Sequence, residues 1–212
     1  MNLLALNSGG IDSPVATNLM LERGFSVDAI VFDNQPFSDQ KDRDLALKTL
    51  EKLSELHNTE IKAYILPHGF IQEKFLNEAD EEEVKYSCLF SRRTMMRAAS
   101  RIAGEDYRGL VTGENLAQVA SQTLDNLVVI DESAGKEVIR PLLTWDKEET
   151  VNKAKEIGTY DLSIQGGIVC ASNPDYPETH GAIKDLKELE KKFEIEKLVK
   201  KSIKDKKVKE LS

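Results

Sequence analysis

Residues 6 to 16 read LNSGGIDSPVA, and the constraint lies in what this stretch stands between. Before it, Leu3, Leu4, Ala5 and Leu6 form a short apolar run bounded by turn residues, the pattern of a buried strand. After it, Val15, Ala16, Leu19 and Met20 share one face at helical spacing. Ser13 is the expected N-cap, and Pro14 fits the first helical position, where a missing N–H is no loss. A strand, a glycine turn and a helix N-terminus bring unpaired N–H groups together with the positive end of the helix dipole, which makes an anion site. Gly9 and Gly10 allow the backbone to approach phosphate oxygens closely. A plain turn between strand and helix needs one glycine and has no use for Asp12.

The same alternation continues along the chain. Val27, Ala29, Ile30, Val31 and Phe32 read as a second strand, IKAYIL at 61 to 66 as a third and GLVTG at 109 to 113 as a fourth. Between them, residues 42 to 57 place Ala46, Leu50, Leu53 and Leu56 on one helical face, and residues 89 to 103 do so with Leu89, Met96, Ala99 and Ile102. This order predicts an α/β fold, a parallel sheet with helices on both faces and ligands beyond the strand C-termini. VIRPLL at 138 to 143 is a short extended segment. Asp146 and Glu149 then have the spacing of a capping box, Val151, Ala154 and Ile157 supply an apolar stripe, and Gly158 closes that helix. Residues 164 to 180, rich in Gly, Pro, Ser and Asn, read as an exposed loop around Cys170, and 181 to 209 return to a charged amphipathic helix pattern. The division expected is a nucleotide domain over 1–180 and a charged helical C-terminal extension over 181–212.

At a net charge of −8, the chain does not coat nucleic acid by bulk attraction, although a local basic surface stays open. Glu78, Asp80, Glu81, Glu82 and Glu83 read as a solvated loop or helix end. The lysines from Lys197 to Lys209 read as a solvated or frayed helix in preference to an RNA contact. No stretch approaches the roughly 18 apolar residues of a membrane span, and the N-terminus lacks the basic region of a signal peptide, so a cytoplasmic location is expected. Two cysteines far apart supply neither a zinc ribbon nor an iron–sulfur site on their own. Cys88, at the start of a helix, is either a thiol of lowered pKa or packing filler, with filler favoured. His57, His68 and His180 have no metal-ligand spacing, and no Ser-His-Asp order is present.

The turn matches neither Gly-x-Gly-x-x-Gly nor the Walker pattern. Ser8-Gly9-Gly10-Ile11-Asp12-Ser13 resembles instead the pyrophosphate loop of the ATP pyrophosphatases, which cleave ATP between the α and β phosphates and adenylate a substrate oxygen. CLFSRRTMMRAA at 88 to 99, TGENLAQVASQTLDNL at 112 to 127 and RPLLTWDKEETVNKAKEIGTYDLS at 140 to 163 narrow the resemblance. In order and spacing they are similar to the catalytic domain of tRNA 4-thiouridine synthetase, also called tRNA sulfurtransferase and thiamine biosynthesis protein. The similarity implies the fold of the adenine nucleotide α-hydrolases, with ATP and Mg²⁺ at the loop. Ser8, Ser13 and the glycine amides would bind the leaving pyrophosphate, and Asp12 would help hold the metal ion. Further ATP contacts would fall on Leu6 and Asn7 beside the loop, on Val31 and Phe32 at a strand end, and on Arg92, Gly113 and Gln122. Read without the resemblance, Val31 and Phe32 are equally core residues, and Arg92 and Arg93 a solvated helix face.

The resemblance also implies that Cys170 attacks a persulfide delivered by a donor such as a cysteine desulfurase. Its setting, GGIVCASNPDYPETH, departs from the aromatic-Cys-Gly context of relatives. With the glycine loop at residue 8, neither a THUMP RNA-binding domain nor a rhodanese domain is expected. A separate RNA-binding polypeptide would then grip the tRNA, or the lysine tail and a homodimer would replace part of that grip. The leading reading is an ATP-dependent tRNA sulfurtransferase that makes 4-thiouridine. An adenylating enzyme with a different acceptor and a non-catalytic nucleotide-binding subunit are the alternatives.

Overall fold

The strand register is dictated by alternation: Leu3 and Ala5 point to one face of the sheet and Leu4 to the other, and each lands in a different apolar cluster. The computed structural model describes residues 1–116, 118–166, 174 and 176–212. In chain order these form β1 (Asn2–Leu6), α1 (Asp12–Glu22), β2 (Ser26–Asp33), α2 (Gln40–His57), β3 (Ile61–Pro67), α3 (Gly69–Glu78), α4 (Glu81–Val84) and α5 (Ser87–Ala103). There follow β4 (Gly109–Val111), a 3₁₀ turn (Ala120–Gln122), α6 (Leu124–Glu132), β5 (Glu137–Ile139), α7 (Lys147–Glu156) and α8 (Tyr160–Ser163). The chain ends with α9 (Ile183–Lys192), α10 (Ile195–Lys204) and β6 (Lys207–Leu211).

The sheet runs β5-β4-β1-β2-β3-β6 and is parallel except for β6. Helices α1, α2 and α7 cover one face through Val15, Leu19, Leu50, Leu53 and Ala154. Helices α3, α5, α6, α9 and α10 cover the other through Phe75, Phe90, Met96, Ile130, Leu189 and Val199. From β1 the chain moves outward to β2 and β3, then returns across β1 to β4. The order therefore reverses between β1 and β4, where a crevice opens beyond the strand carboxyl ends.

Several local expectations are corrected. Helix α1 begins at Asp12 with Ile11 in the cap position and no side-chain cap, so Ser13 lies inside the first turn. Its hydroxyl is drawn back to donate to Asn7 Oδ1 at 3.0 Å, leaving the leading N–H groups of the helix without a cap. The fourth strand stops at Val111, and the fifth occupies only Glu137–Ile139, beyond which Arg140 to Leu143 turn. Leu56 is half exposed, because at 100° per residue it stands about 80° round the helix from Ala46. His57 takes the inward place, with Nε2 2.8 Å from Asn18 Oδ1. The Asp146–Glu149 capping box and the left-handed Gly158 form as expected.

The C-terminal segment is helical only through Lys204. Its last residues form β6, antiparallel to β3, with Lys207 opposite Ile65 and Leu211 opposite Ile61. Nor is Arg93 on a solvated face. It is completely buried, donating to both oxygens of Glu190 at 2.6 and 3.1 Å, to Glu132 at 2.8 Å and to the Val129 carbonyl. Arg97 and Arg101, one and two turns along α5, continue the ladder to Glu190 and Glu196. This network ties α9 and α10 to the domain, and its value lies in complete pairing, since one partner alone would be a buried charge. Glu190→Ala is therefore expected to cost about 3–5 kcal/mol in denaturant unfolding, whereas Glu196→Ala, at an exposed pair, costs below about 1 kcal/mol.

His68 supplies a pH signature. Burial pushes its imidazole from 6.5 down to about 3, so it folds neutral. Its stabilising effect is full above pH 6.5 and declines as the pH falls toward 3, because only the unfolded chain takes up the proton. Urea unfolding between pH 7 and 4 should show a loss of about 1.4 kcal/mol per pH unit from this group below its unfolded pKa, absent in His68→Gln.

Candidate active site

The phosphate-loop candidate is built on Asn7. Its backbone N–H donates to the Ile30 carbonyl at 2.8 Å, extending the β1–β2 ladder by one residue. Its buried amide donates to the Ala46 carbonyl at 2.9 Å and to Thr49 Oγ1 at 3.1 Å, which bolts the loop to α2. Gly9, at φ +76°, lies so close to α2 that a Cβ would stand 2.8 Å from Ala46 Cα. Ser13 Oγ accepts from the Ser8 N–H at 3.0 Å and lies 3.1 Å from Ser8 Oγ, which in turn accepts from the Gly10 N–H at 3.3 Å. The loop is thereby held open around the uncapped start of α1, with Asp12 on its first turn.

Gly113 closes the other wall. A Cβ there would be 2.7 Å from the Asp12 carbonyl carbon and the Ser13 nitrogen, so the end of β4 lies directly on the α1 N-terminus. Asn115 donates to the Trp145 carbonyl at 3.1 Å and so fixes the approach to α7. The first residue of that helix, Lys147, reaches Asp12 Oδ1 at 2.7 Å. A half-exposed cation and the expected metal-holding carboxylate thus face one another at the loop mouth.

Arg92 reaches the same rim from α5 through Glu114. The Glu114 carboxylate, 2% exposed, accepts from Arg92 Nη1 at 2.9 Å, Arg140 Nε at 2.7 Å and Thr112 Oγ1 at 3.0 Å. Arg140 in turn donates to both oxygens of Asp131, at 3.0 and 2.5 Å. Burial pulls the Arg140 guanidinium down, but Asp131 and Glu114 more than offset this and hold its pKa raised. The two ends of this chain reach solvent, Arg92 at 37% and Asp131 at 42% exposed.

The other expected contacts sort differently. Leu6 ends β1 half-buried, beside the loop. The Val31 side chain is core, leaving only its backbone at the strand end, whereas Phe32 is half-buried and lies edge-on to His68 at 5.3 Å. His68 Nε2 is 3.0 Å from Ser91 Oγ, one residue before Arg92. Gln122 is buried on the β4–α6 connection, and its Oε1 has no hydrogen-bond partner in the structure. Cys170, expected to handle sulfur, lies outside the described residues. Cys88 sits half-buried in the first turn of α5. Among the described residues, no group of three or more His, Cys, Asp or Glu is arranged to hold a metal ion.

Uncapped N–H groups, a glycine wall, one carboxylate and two cations converge where the strand order reverses. A sequence profile of the thiamine biosynthesis protein (ThiI) family matches residues 1–195. The chain belongs to the ThiI family. A probable tRNA sulfurtransferase of Staphylococcus saprophyticus is 40% identical over 203 residues, 94% of this chain and 49% of that protein. A probable tRNA sulfurtransferase of Clostridium botulinum is 36% identical over 92% of this chain and 51% of its own. A crystal structure described as a 4-thiouridine synthetase–RNA complex with bound ATP superposes with a TM-score of 0.92 at 34% identity, covering 100% of this chain and 55% of that one. This ThiI-family chain spans about half the length of the relatives it matches.

The residues present fit a nucleotide with its metal ion: the start of α1 has no side-chain cap, and Gln122 offers a buried unmatched oxygen. A single carboxylate also suits Mg²⁺, which is commonly bound by one or two carboxylates together with substrate phosphates. Sequence pattern alone does not single out Lys147, Glu114 or Arg140. The signals available were a lysine directly after a capping aspartate and an acidic residue directly after the Gly113 turn. Gly113→Ala is expected to weaken ATP binding at least about tenfold by calorimetry, since its Cβ meets backbone. Gly135→Ala, whose Cβ would meet Ser100 at an ordinary 3.5 Å, leaves it unchanged.

Proposed function

We propose that this chain carries the ATP-dependent half of tRNA thiolation, adenylating a uridine and exchanging its C4 oxygen for sulfur to give 4-thiouridine. The observation that carries the reading is the α1 N-terminus, left uncapped with Asp12, Lys147 and the Gly113 wall around it. The names borne by its relatives, and the RNA and ATP in the similar crystal structure, support it.

In this reading the Gly9, Gly10 and Ile11 amides and the Ser8 hydroxyl hold the β and γ phosphates, and Ser13 joins them by turning its hydroxyl away from Asn7 Oδ1. Asp12 would hold Mg²⁺, whose charge would offset that of the phosphates. Lys147 and Arg92 neutralise charge that builds on the departing pyrophosphate. The uridine O4 attacks the α phosphorus and the bond to the bridging oxygen breaks, releasing pyrophosphate. A carbonyl oxygen is a poor leaving group, so this step is what makes substitution at C4 feasible. The terminal sulfur of a donor's persulfide then adds at C4, and the C4–O bond breaks with AMP leaving. Cys170 thiolate attacks the inner persulfide sulfur, forming a disulfide and leaving the terminal sulfur on the base. A cysteine desulfurase fits as the donor, and a separate RNA-binding polypeptide or a homodimer would complete the grip on tRNA. A reaction on ATP and tRNA is compatible with a cytoplasmic location. Among the described residues no helix is long and apolar enough to cross a membrane.

Incubation with ATP and tRNA should yield AMP and pyrophosphate, read by chromatography and a coupled pyrophosphate assay. Asp12→Asn should lower that rate by roughly 10²-fold or more. ADP and phosphate as products would overturn the reading, and AMP release indifferent to tRNA would move it to another acceptor.

A further inference from the structure

The C-terminal lysines are not a frayed tail. Helix α10 and β6 hold them on fixed backbone, and Lys200, Lys201, Lys204, Lys206 and Lys207 are all exposed. Their neighbours are engaged: Lys192 with Asp80 and Glu83, Lys197 with Glu194, and Lys209 with Glu51. Among the described residues, Lys200, Lys204, Lys206 and Lys207 have no carboxylate within ion-pair distance, and Lys201 lies 4.3 Å over the Phe70 ring. Carboxylates of the neighbouring rim are occupied, Asp33 and Asp44 by Arg43, and Asp39 and Asp42 in the α2 capping box. Like charges four residues apart, as at Lys200 and Lys204, weaken a helix. The α10 dipole relieves this in the last turn only, and it does nothing for Lys206 and Lys207 beyond it. A chain of net charge −8 thus concentrates five cations around one acid of the same stretch, Asp205, and among the described residues four of the five have no ion pair or ring contact.

Their position is informative. Lys207 stands opposite Ile65, and Ser202 donates to the Pro67 carbonyl at 2.6 Å, so the cluster flanks the carboxyl end of β3. That is the end of the sheet at which the phosphate loop opens. Strand β6 is three places from β1, about 14 Å at ~4.8 Å per strand. An RNA backbone crosses a distance of this size with only a few phosphates.

We propose that the α10–β6 rim is a docking surface for the RNA backbone, holding the strand whose target base enters the phosphate-loop crevice. The proposal rests on RNA being the acceptor. It assigns sequence-independent affinity to lysines outside the catalytic groups, since phosphate contacts position a strand without reading its bases.

The test is fluorescence anisotropy of a tRNA transcript on the full chain over a salt series, comparing Lys204→Glu/Lys207→Glu with Lys136→Glu/Lys155→Glu. The second pair makes the same charge change away from this rim. ATP affinity is measured on both to show that each is folded. The rim variant is expected to bind tRNA about tenfold or more weakly at low salt, with a log–log salt slope less negative by about 1.5 to 2, and the control is expected to match the parent chain. Equal losses in the two variants would overturn the proposal in favour of bulk charge. Unchanged tRNA binding in the rim variant would overturn it too, and if that variant then failed only with a persulfide donor the rim would be a protein-docking face. In both cases tRNA-dependent AMP release by the parent chain leaves the proposed function standing. Absence of tRNA binding and of tRNA-dependent AMP release in the parent chain would sink both.

Discussion

The end of β4 and the beginning of α1 share a contact that admits no side chain, and the site depends on it. Gly113 sits where any Cβ would overlap the Asp12–Ser13 backbone, and Gly9 does the same against α2. Wedged between two helices and a strand, the loop leaves the leading N–H groups of α1 without a capping side chain. Asn7 sets this from below, its side-chain amide donating to α2 and its backbone N–H to β2.

Charge is arranged with the same economy. Asp131, Arg140, Glu114 and Arg92 alternate in sign, from a carboxylate on α6 to a guanidinium on α5 at the crevice. The inner members compensate one another, which burial requires. The outer guanidinium is thereby held by a chain of hydrogen bonds through Glu114 and Arg140. Lys147 approaches from the opposite side, on the N-terminus of α7, and rests on Asp12. Loop, carboxylate and cations come from four separate stretches of chain. They meet because β1 and β4 are adjacent at the reversal in strand order.

The alternation of apolar runs and helical stripes was sufficient for the parallel sheet and its two coats, because periodicity reports which face each residue buries. The loop residues were legible for a related reason: two glycines, a carboxylate and hydroxyls at a strand–helix junction serve few purposes other than anion binding. Arg92 was legible through resemblance, but Glu114, which orients it, was not. A buried carboxylate becomes recognisable only when its partners, Arg140 among them, are known to converge on it. Val31 shows what pattern reading leaves open, since its side chain belongs to the core while its backbone lies near the carboxyl end of β2.

From the chain of residues alone came the sheet, its covering helices and a phosphate loop ahead of α1, all consequences of local periodicity and backbone chemistry. Tertiary structure decided that Ser13 turns inward instead of capping, that Arg93 is buried in an ionic lattice, that Lys147 meets Asp12 and that the last residues form an antiparallel strand flanking β3. The physical reason is the range of the interactions. Helical stripes and strand alternation are set by neighbours within a few residues, whereas these pairings join residues up to 150 positions apart, as Ile61 and Leu211 do across the sheet edge, and exist only once the sheet order is closed.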